Sequence, residues 1–506
     1  MNYKQALFEV FALLCASILI IFLVAMVAFI TVKGSQYFLP QAAYKVTLTF
    51  PTAEQEVFYQ ASGRDAAALQ AEFDERYKGQ FLAEPQSRPQ VDVHLAEQVY
   101  QVVSKSGRVY FGEFYGLLNA NEAFLPLSEL TNLQNTVDLL QSNLTEVQQG
   151  KLRELHRRIA TLDNTDVGND TPARKTLMQE YIRWQNHANE LDRQIEQYRI
   201  SFKKADNTLV DIGLNELDFL YQPNQLSSLE KIGFTLTKIW QFVSDTPKQA
   251  STTGGVFPAI FGTVLMVILM AVVVAPFGII AAVYLHEYAP ENKTTQLIRI
   301  GISNMAAVPS VVYGVFGLGF FVYTMGGSID ELFYPQALPS PTFGTPGLLW
   351  ASLTMGLLTL PVVIVSAEEG LQRVPEGLRS GSYALGATKF ETIMRVVVPM
   401  ASPGMLTGII LAIARAAGEV APLILVGAVK FAPNLPIDGE YPFVHLERQF
   451  MHLGVFIYDG AFHNQTQTQS ASLMFATCML LLIIVFLLNI SAILIRHRLR
   501  HKYERA

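Results

Sequence analysis

The chain has 506 residues, of which 50% are hydrophobic and only 16% charged, and its formal net charge is −6. This composition excludes an ordinary soluble enzyme and indicates a membrane protein with a soluble part, while the acidic balance argues against a nucleic-acid partner. Both of its cysteines, Cys15 and Cys478, lie in apolar runs, which excludes a disulfide framework or a cysteine metal site in the soluble part.

The first apolar run extends from about Phe8 to Ile30. It is longer than the core of a signal peptide, about 7–15 residues, and no convincing cleavage site follows it. The run therefore predicts an N-terminal transmembrane anchor, residues 1–32, that stays in the mature protein.

Residues 33–252 are polar and contain no window long enough to span a membrane. Alternating residues from Tyr44 to Phe50 predict a strand, and two further alternating stretches, 100–103 and 109–114, flank a turn and predict a β-hairpin. These residues are expected to form one soluble α+β insertion.

Helical spacing replaces the strand pattern at about residues 127–200. Apolar residues recur there every three or four positions in the stretches 130–162 and 178–198, and the residues between, 161–172, are rich in Asp, Asn, Thr and Gly. The pattern predicts an antiparallel, coiled-coil-like helical hairpin. Either each apolar seam only buries the other, or the tip of the hairpin also contacts a partner.

Five more apolar runs follow the insertion, each long enough to cross a hydrocarbon layer of about 30 Å as a helix. They occupy approximately residues 257–284, 300–325, 347–367, 405–429 and 473–495. Together with the anchor they predict six transmembrane helices, five of them in a core of residues 253–496. Helix-disturbing residues in these runs either line the bundle interior or are tolerated kinks; they are Pro276, Gly278, Pro309 and Pro361.

The basic residues predict which side each loop faces, because short cytoplasmic loops carry an excess of Lys and Arg. With the N-terminus inside, twelve basic residues lie on the cytoplasmic side, against only Lys430 and Arg448 in the opposite short loops. The twelve are Lys4, Lys293, Arg299, Arg373, Arg379, Lys389, Arg395, Arg496, Arg498, Arg500, Lys502 and Arg505. Both termini, including the basic tail 497–506, are therefore expected in the cytoplasm, with the insertion 33–252 on the opposite side of the membrane.

The predicted cytoplasmic loop 368–403 is a basic amphipathic segment between two apolar runs. Pro375 can start a helix and Gly386 can end one, while Leu378 and Leu385 are spaced for helix contacts. Such ordered chemistry in a short loop indicates a surface that a partner binds.

This loop resembles the EAA loop of ABC-importer permeases, which forms the coupling helix of that family. Gly386 matches the family's glycine, and Val396, Val398 and Pro399 match its closing hydrophobic-x-hydrophobic-Pro pattern. The Glu-Ala-Ala cluster departs from the pattern, because Ser380, Gly381 and Ser382 stand at those positions. The resemblance implies coupling to a separate ATPase through Glu376, Ser380, Gly381, Ser382, Ala384, Leu385, Gly386, Ala387, Thr388 and Lys389.

Arg415 and Glu419 are the sharpest chemical signal inside an apolar run. Their spacing places them on one face of a helix, with Arg415 near the middle of its span. A charge at the membrane centre costs at least about 2.5–3.5 kcal/mol, so the pair is expected to face the bundle interior or a wet cavity. The residues support two roles equally: a path for an anion, which a guanidinium binds through two oxygens, or an ion pair that joins parts of the bundle.

The sequence contains no nucleotide or metal motif. The Gly150-Lys151 dipeptide lacks the rest of a phosphate-binding loop, so an ATPase that drives this protein would be a separate chain. No histidine forms a clear metal pair, and His497 and His501 in the basic tail are better interpreted as contacts to lipid headgroups. No catalytic triad is recognisable, so the chain is not expected to be an enzyme.

Four longer segments, at residues 254–263, 308–314, 384–388 and 415–422, are together similar to the PstA-type permeases of bacterial phosphate ABC importers. The resemblance covers residues 254–502, about half of the chain. It implies a type I importer permease in the bacterial inner membrane that moves inorganic phosphate inward by alternating access, with Arg415 and Glu419 in the substrate pathway.

The resemblance also implies partners: a PstC-type permease subunit, two ATPase subunits that hold ATP and Mg²⁺, and an extracytoplasmic phosphate-binding protein. No cofactor is expected on this chain. The alternatives are a permease for another oxyanion, sulfate or molybdate, and a membrane sensor or scaffold whose extracytoplasmic hairpin recruits partners.

Overall fold

The computed structural model of the protein describes residues 3–40, 42–50, 54–61, 66–80, 89–105, 108–120, 123–163, 172–247, 255–335, 339–432, 434–439, 443–463 and 468–504. These residues divide into two compact units. The sheet unit comprises residues 39–238, which fall within the predicted insertion 33–252. The membrane unit comprises residues 3–38 and 239–247 and the described residues from 255 onward.

The sheet unit begins with a small antiparallel sheet. Its strands are β1 (Ala42–Thr49), β2 (Glu54–Ala61) and β3 (Gln90–Leu95), in the order β2-β1-β3, and helix α2 (Ala66–Gln80) connects β2 to β3. Alternate residues of the sheet, including Val46 and Val91, are buried together with Leu69 and Phe73 of α2. The strand predicted from the alternation between Tyr44 and Phe50 is confirmed as β1.

A larger antiparallel sheet follows in the chain. Its strands are β4 (Val99–Ser104), β5 (Val109–Leu118), β6 (Phe124–Leu125), β7 (Arg199–Lys203), β8 (Leu209–Gly213) and β9 (Leu217–Tyr221). They are ordered β8-β7-β5-β4-β9, and β6 also pairs with β5. The predicted hairpin is confirmed as β4 and β5, in which Val102 lies opposite Tyr110. Its turn residues 106 and 107 lie outside the described residues.

The predicted helical hairpin is present in the sheet unit. Its first leg is α3 (Leu130–Glu146), a π-helical turn (Val147–Leu152) and α4 (Arg153–Asp163), and its return leg is α5 (Pro172–Glu196). Val147 and Leu152 of the first leg are buried with Ala188 and Leu191 of the second, which confirms that each apolar seam buries the other. The tip of the hairpin, for which contact with a partner was the alternative, falls at residues 164–171, outside the described residues.

Six helices of the described chain are long and apolar enough to cross a membrane, as predicted. They are Val10–Ser35, Phe257–Tyr288, Ser310–Phe333, Leu348–Gln372, Lys389–Gly418 and Ala471–Leu494. The fold class predicted from the sequence is confirmed: a helical membrane protein with six spans and a sheet-containing region near the N-terminus.

The spans and their connections are built from shorter regular segments. The helices are α1 (Tyr3–Ser35), α6 (Ser228–Ser244), α7 (Phe257–Val283), α8 (Lys293–Met305), α9 (Ser310–Phe316), α10 (Gly327–Phe333), α11 (Leu348–Gln372), α12 (Glu376–Ala384), α13 (Lys389–Thr392), α14 (Val398–Gly418), α15 (Ala421–Val426), α16 (Leu453–His463) and α17 (Thr468–Glu504). The π-helical segments are Tyr284–Tyr288, Gly317–Gly326 and Ile393–Val397. Two short parallel strands, β10 (Ala428–Val429) and β11 (Phe450–Met451), pair between the fifth and sixth spans.

Two predicted spans have wrong boundaries. The third was predicted at residues 300–325, but α8 ends at Met305 and the span begins at Ser310, because Pro309 disfavours helical backbone at the residue before it. The fifth was predicted at 405–429, but its helix already starts at Lys389 and ends at Gly418. Pro403 lies inside that helix, so the helical backbone of the fifth span begins within the predicted loop 368–403.

The core of the membrane unit lies between α7, α11 and α14. Met266, Met355 and Ala412, one from each helix, are buried in the same apolar cluster. α11 and α14 approach closely where Gly370 faces Gly404; a methyl group at Gly404 would lie 2.5 Å from the Gly370 Cα. Small residues therefore set the distance between α11 and α14, the two helices on either side of the predicted cytoplasmic loop.

Candidate functional site

The connection between the fourth and fifth spans folds into two short helices, α12 and α13. α12 begins after Pro375, whose backbone is extended (φ −59°, ψ 138°). Gly386 follows the end of α12 with φ +86°, a left-handed conformation that glycine adopts without steric cost, and its N–H donates to the Tyr383 carbonyl over 2.9 Å. The helix limits predicted from Pro375 and Gly386 are confirmed, with Pro375 just before the first helical residue.

The second helix of the connection, α13, has a capping box that the sequence analysis missed. The Thr388 Oγ1 accepts a hydrogen bond from the Glu391 N–H over 3.3 Å, and the Glu391 carboxylate accepts one from the Thr388 N–H over 3.0 Å. The Thr-x-x-Glu pattern at residues 388–391 is the sequence signature of this arrangement and was available to predict it. The capping box fixes the direction in which the chain leaves the turn at Gly386.

Arg379 anchors α12 to the end of the second span. Its guanidinium lies 3.0 Å from the carboxylate of Glu287 and donates to the carbonyl of Leu371 over 3.1 Å. Both charged side chains are largely buried, with 14% and 7% of their surface exposed. Because a buried charge is stable only when it is paired and hydrogen-bonded, this contact restrains the position of α12.

A second ion pair joins the same end of the bundle. The Arg299 Nε lies 3.3 Å from the Glu368 carboxylate, and the Arg299 Nη2 donates to the carbonyl of Leu285 over 2.9 Å. Arg299 belongs to α8, Glu368 to α11 and Leu285 to the π-helical end of the second span. The end of the bundle that carries α12 is therefore cross-linked by two arginines, each bound to a carboxylate and a backbone carbonyl.

Two further contacts fix the turn between α12 and α13. The hydroxyls of Ser382 and Thr392 are 2.9 Å apart and share a hydrogen bond, and the Lys389 Nζ lies 4.8 Å from the centre of the Tyr288 ring, where a cation–π interaction is favourable. Both contacts hold the turn at residues 385–388 from either side.

The α12–α13 connection nevertheless presents apolar side chains to its surroundings. Leu385 is 91% exposed, and the space next to Gly386 is open. The exposed apolar residues of this connection, together called the loop surface below, are Leu378, Tyr383, Leu385, Phe390 and Met394. A rigid, exposed apolar surface of this kind is typical of a site that binds a partner protein.

The ten residues predicted to couple to a partner all lie on this connection. Ser382 and Ala387 are half-buried, and the other eight are exposed. The hydroxyl of Ser382 is used within the chain, by Thr392, and that of Thr388 caps α13, so both have structural tasks. Leu385 and Gly386 form the most open part of the connection.

The predicted charge pair is present, but the local backbone differs from the prediction. The Arg415 Nε lies 3.5 Å from a Glu419 carboxylate oxygen, and the two side chains are 35% and 24% exposed. Arg415 lies in the last turn of α14, and Glu419 follows the helix with extended backbone (φ −79°, ψ 140°), so one continuous helix does not carry both residues. The helix stops because Pro422 occupies the first turn of the next helix, α15.

Small residues of α14 next to the charge pair are closely packed. Ala412, Ala416 and Ala417 are buried in the core of the membrane unit. Gly314 of the third span approaches α15 so closely that a methyl group there would lie 2.7 Å from the Pro422 Cα. These contacts hold the helix break at residues 419–420 between its neighbours.

The segment between the fifth and sixth spans contains charged and titratable groups that the sequence did not indicate. The ring nitrogens of His445 lie 3.0 Å from an Asp438 oxygen and 3.1 Å from a Glu447 oxygen, and Arg448 pairs with the same Asp438 carboxylate. His452, farther along, is fully buried, and desolvation lowers its pKa to about 4. In the part of the chain that the structure describes, no histidine, cysteine or carboxylate cluster has the arrangement of a metal site.

Comparison with known proteins gives the site its context. The family described as "Binding-protein-dependent transport system inner membrane component" matches residues 274–501. The "Phosphate transport system permease protein PstA" of Yersinia pestis is 31% identical over 261 residues, which cover 51% of this chain and 78% of that protein. The chain belongs to the PstA-type permeases of this family.

Other similar proteins match over a shorter length. The "Phosphate transport system permease protein PstA 1" of Mycobacterium tuberculosis (strain ATCC 25618 / H37Rv) is 36% identical over 184 residues, 36% of this chain and 54% of that protein. The chain spans about half the length of this relative. Among solved structures, an inward-facing MetNI methionine ABC transporter matches 52% of this chain and 97% of its own at 17% identity, with a TM-score of 0.36.

As a PstA-type permease, the chain is a multi-pass inner membrane protein. The residues matched by the family include both the loop surface and the Arg415–Glu419 pair. The sheet unit precedes the matched residues, so it is an addition to the family's common core.

Proposed function

We propose that this chain is the transmembrane permease subunit of an ATP-driven importer that moves inorganic phosphate into the cytoplasm by alternating access. The observation that carries the proposal is the loop surface: exposed Leu385 beside left-handed Gly386, on a connection that Arg379 ties to Glu287 of the second span. With this geometry, the α12–α13 connection can be moved by a partner protein and can transmit that motion to the transmembrane helices. The names of the similar phosphate permeases support phosphate as the substrate.

The proposed orientation places both termini and the loop surface in the cytoplasm and the sheet unit on the opposite side. The support is the excess of Lys and Arg in the short loops and ends on one side of the predicted topology. The rule counts basic residues in short loops only, so the Lys and Arg residues of the long sheet unit do not change the proposed orientation.

Two ATPase subunits are the proposed partners of the loop surface. They supply ATP and Mg²⁺, and this chain, which has no phosphate-binding loop in its sequence, contributes no catalysis. We assign the docking contact to the residues from Glu376 to Lys389, with Leu385 and Gly386 at its centre. The pairs Arg379–Glu287 and Arg299–Glu368 then carry the motion to the second span, α8 and the fourth span.

Arg415 and Glu419 are proposed to line the phosphate path. The guanidinium can donate two hydrogen bonds to the oxygens of an oxyanion, and both side chains are partly exposed where α14 breaks. A PstC-type permease subunit would complete the path from the other side. A soluble phosphate-binding protein would deliver the substrate at the side of the sheet unit.

In the proposed cycle, ATP closes the ATPase dimer and the loop surface moves with it. The rigid attachment of α12 converts this motion into a change in the packing of the spans, which opens the path outward. Because Arg415 is already paired with Glu419, phosphate would compete with that carboxylate for the guanidinium, which favours binding that is readily reversed.

The proposal is tested by radiolabelled phosphate uptake in cells that lack their own high-affinity system and express this chain with its candidate partners. We expect uptake with the wild-type chain, loss of uptake and of ATPase co-purification with Leu385→Asp, and no loss with Leu209→Asp, a matched exposed leucine of β8. Uptake of sulfate or molybdate instead of phosphate would overturn the substrate. Retained ATPase binding by Leu385→Asp would overturn the role of the loop surface.

A further inference from the structure

A cavity of about 460 Å³ lies at one end of the membrane unit. It is bounded by the last residues of α11, the first turns of α14, and the part of α17 near residues 493–497. Its lining combines three cationic or titratable side chains, Arg373, Arg496 and His497, with apolar ones that include Ile493 and Leu494. The cavity is separate from the Arg415–Glu419 pair, which lies at the opposite end of α14.

The floor of the cavity is preformed by close helix packing. Gly370 and Gly404 both line it, and a methyl group at Gly370 would lie 3.0 Å from the Ala401 carbonyl oxygen. The absence of side chains at these two glycines lets the backbones of the two helices touch, so that the helices themselves close the floor of the cavity. A ligand would therefore bind without moving α11 or α14.

The charge in the cavity is not neutralised by the described part of the chain. Among the described residues, no Asp or Glu lines the cavity, and neither Arg373 nor Arg496 forms an ion pair with one of them. The Arg496 Nη1 donates to the Thr407 hydroxyl over 3.0 Å, which holds the guanidinium against the wall and leaves its other N–H groups available. Two arginines without an ion-pair partner among the described residues, beside apolar walls, suit an anion that also has an apolar part.

The arginines of the cavity stand where two apolar stretches give way to polar ones. Arg373 directly follows the fourth-span helix, and Arg496 lies where the apolar part of α17 meets the basic tail, which is where the sidedness rule expects residues at the level of lipid headgroups. The exposed side chains of Met400, Ile493 and Leu494 extend from the same place along the apolar part of the bundle. Basic pockets between transmembrane helices at this level are suited to anionic headgroups.

We propose that this cavity binds the phosphate group of an anionic phospholipid, with its acyl chains along Met400, Ile493 and Leu494. Arg373 and Arg496 donate to the phosphate oxygens, and the glycine floor admits the headgroup. Inorganic phosphate offers the same oxygens but no acyl chain, and therefore gains nothing from the apolar wall.

The test uses the full-length chain in detergent with the partners that purify with it. Bound lipids are counted by native mass spectrometry during separate titrations with phosphatidylglycerol and phosphatidylcholine, each with and without inorganic phosphate. The variants are Arg373→Gln, Arg496→Gln, the double variant, the conservative Arg496→Lys, and the matched control Lys293→Gln. Lys293 is an exposed basic residue on the same predicted side and does not line the cavity.

We expect the wild type to bind phosphatidylglycerol more tightly than phosphatidylcholine, with about a fivefold loss of affinity for each arginine replaced by glutamine. Arg496→Lys and Lys293→Gln should bind like the wild type, which separates a charge effect from misfolding. Equal binding of the two lipids, or wild-type affinity in the double variant, would overturn the proposal. Displacement of phosphatidylglycerol by an equal concentration of inorganic phosphate would also overturn it, in favour of a free-anion site.

Discussion

The guanidinium of Arg379 contacts the carboxylate of Glu287 at 3.0 Å, although one residue follows the fourth span and the other ends the second. The same guanidinium also donates to the carbonyl of Leu371. One side chain thus attaches the α12–α13 connection to two different spans.

Glu287→Gln should lower the stability of the membrane unit by about 3 kcal/mol, because it leaves a largely buried arginine with only the exposed carboxylate of Glu376, 4.0 Å away, as a counter-charge. The double variant Glu287→Gln/Arg379→Gln should be more stable than the single variant, since both charges are then gone. Thermal unfolding of the detergent-solubilised chain measures both effects. Simple addition of the two single-variant effects would show that the ion pair does not couple the helices.

Gly386→Ala should destabilise the connection by about 1–2 kcal/mol, because its φ of +86° is unfavourable for any residue with a Cβ even though the space around it is open. Gly377→Ala is the matched control: it lies inside α12, also in open space, and should stabilise that helix by up to about 1 kcal/mol. Thermal unfolding distinguishes the two variants. Equal effects would mean that the left-handed turn is not maintained in the protein.

Gly386→Trp tests the proposed transfer of force at the same position. A large side chain on the loop surface should block docking of the ATPase and so uncouple ATP hydrolysis from phosphate uptake, while the six spans still insert. Uptake and ATP hydrolysis are measured in the same reconstituted vesicles. Tight coupling in this variant would show that the surface around Gly386 does not contact the ATPase.

Arg415→Gln should reduce phosphate uptake by at least about tenfold, because the path loses its permanent positive charge. Adding Glu419→Gln separates the two possible roles of the pair. If the pair only joined the bundle, removing both charges would restore activity along with stability. We expect stability to recover in the double variant and uptake to remain lost, measured by thermal unfolding and by uptake at matched membrane abundance.

His452 should make stability fall as the pH is lowered. Its Nδ1 accepts a hydrogen bond from the Gly454 N–H over 3.1 Å, so the proton of the neutral ring is on the buried Nε2. The folded pKa of about 4 lies below the value of about 6.5 for an unfolded histidine, so between these values the unfolded chain binds a proton that the folded chain does not. The contribution is complete above pH 6.5 and decreases by up to about 1.4 kcal/mol per pH unit below it.

The measurement is thermal unfolding of the purified chain between pH 7.5 and pH 4.5, for the wild type and for His452→Gln. The variant should be less stable at neutral pH but should lose less stability on acidification. His94→Gln serves as a control, because His94 lies at an exposed position of β3. An identical pH dependence in the wild type and in His452→Gln would assign the acid sensitivity to other groups.

The membrane spans and the strands could be predicted from the sequence because their signals are local. Apolar length defines a span, and alternation defines a strand such as β1, without reference to the rest of the chain. The wrong boundaries occurred at Pro309 and near Gly418, where a long apolar run continues through a change in backbone. Hydropathy does not detect such a change, but the prolines that cause it were visible in the sequence.

The contacts that build the site could be predicted only in part. The turn at Gly386 and the Thr388–Glu391 capping box are formed by residues close together in the chain, so a short sequence pattern can predict them. The pairing of Arg379 with Glu287, and of Arg299 with Glu368, joins residues that are far apart in the chain and depends on how the spans pack. A basic residue in a short loop predicts sidedness, but it does not reveal which carboxylate it contacts.

The 91% exposure of Leu385 also affects the life of the chain before it is assembled. A newly inserted copy that has found no partner displays an apolar residue on a rigid turn, and exposed apolar surface is what chaperones and proteases recognise. Copies made in excess of their partners would be removed, while assembled copies would be protected. Leu385, the proposed contact with the ATPase, would thus also keep the number of copies of this chain equal to the number of its partners.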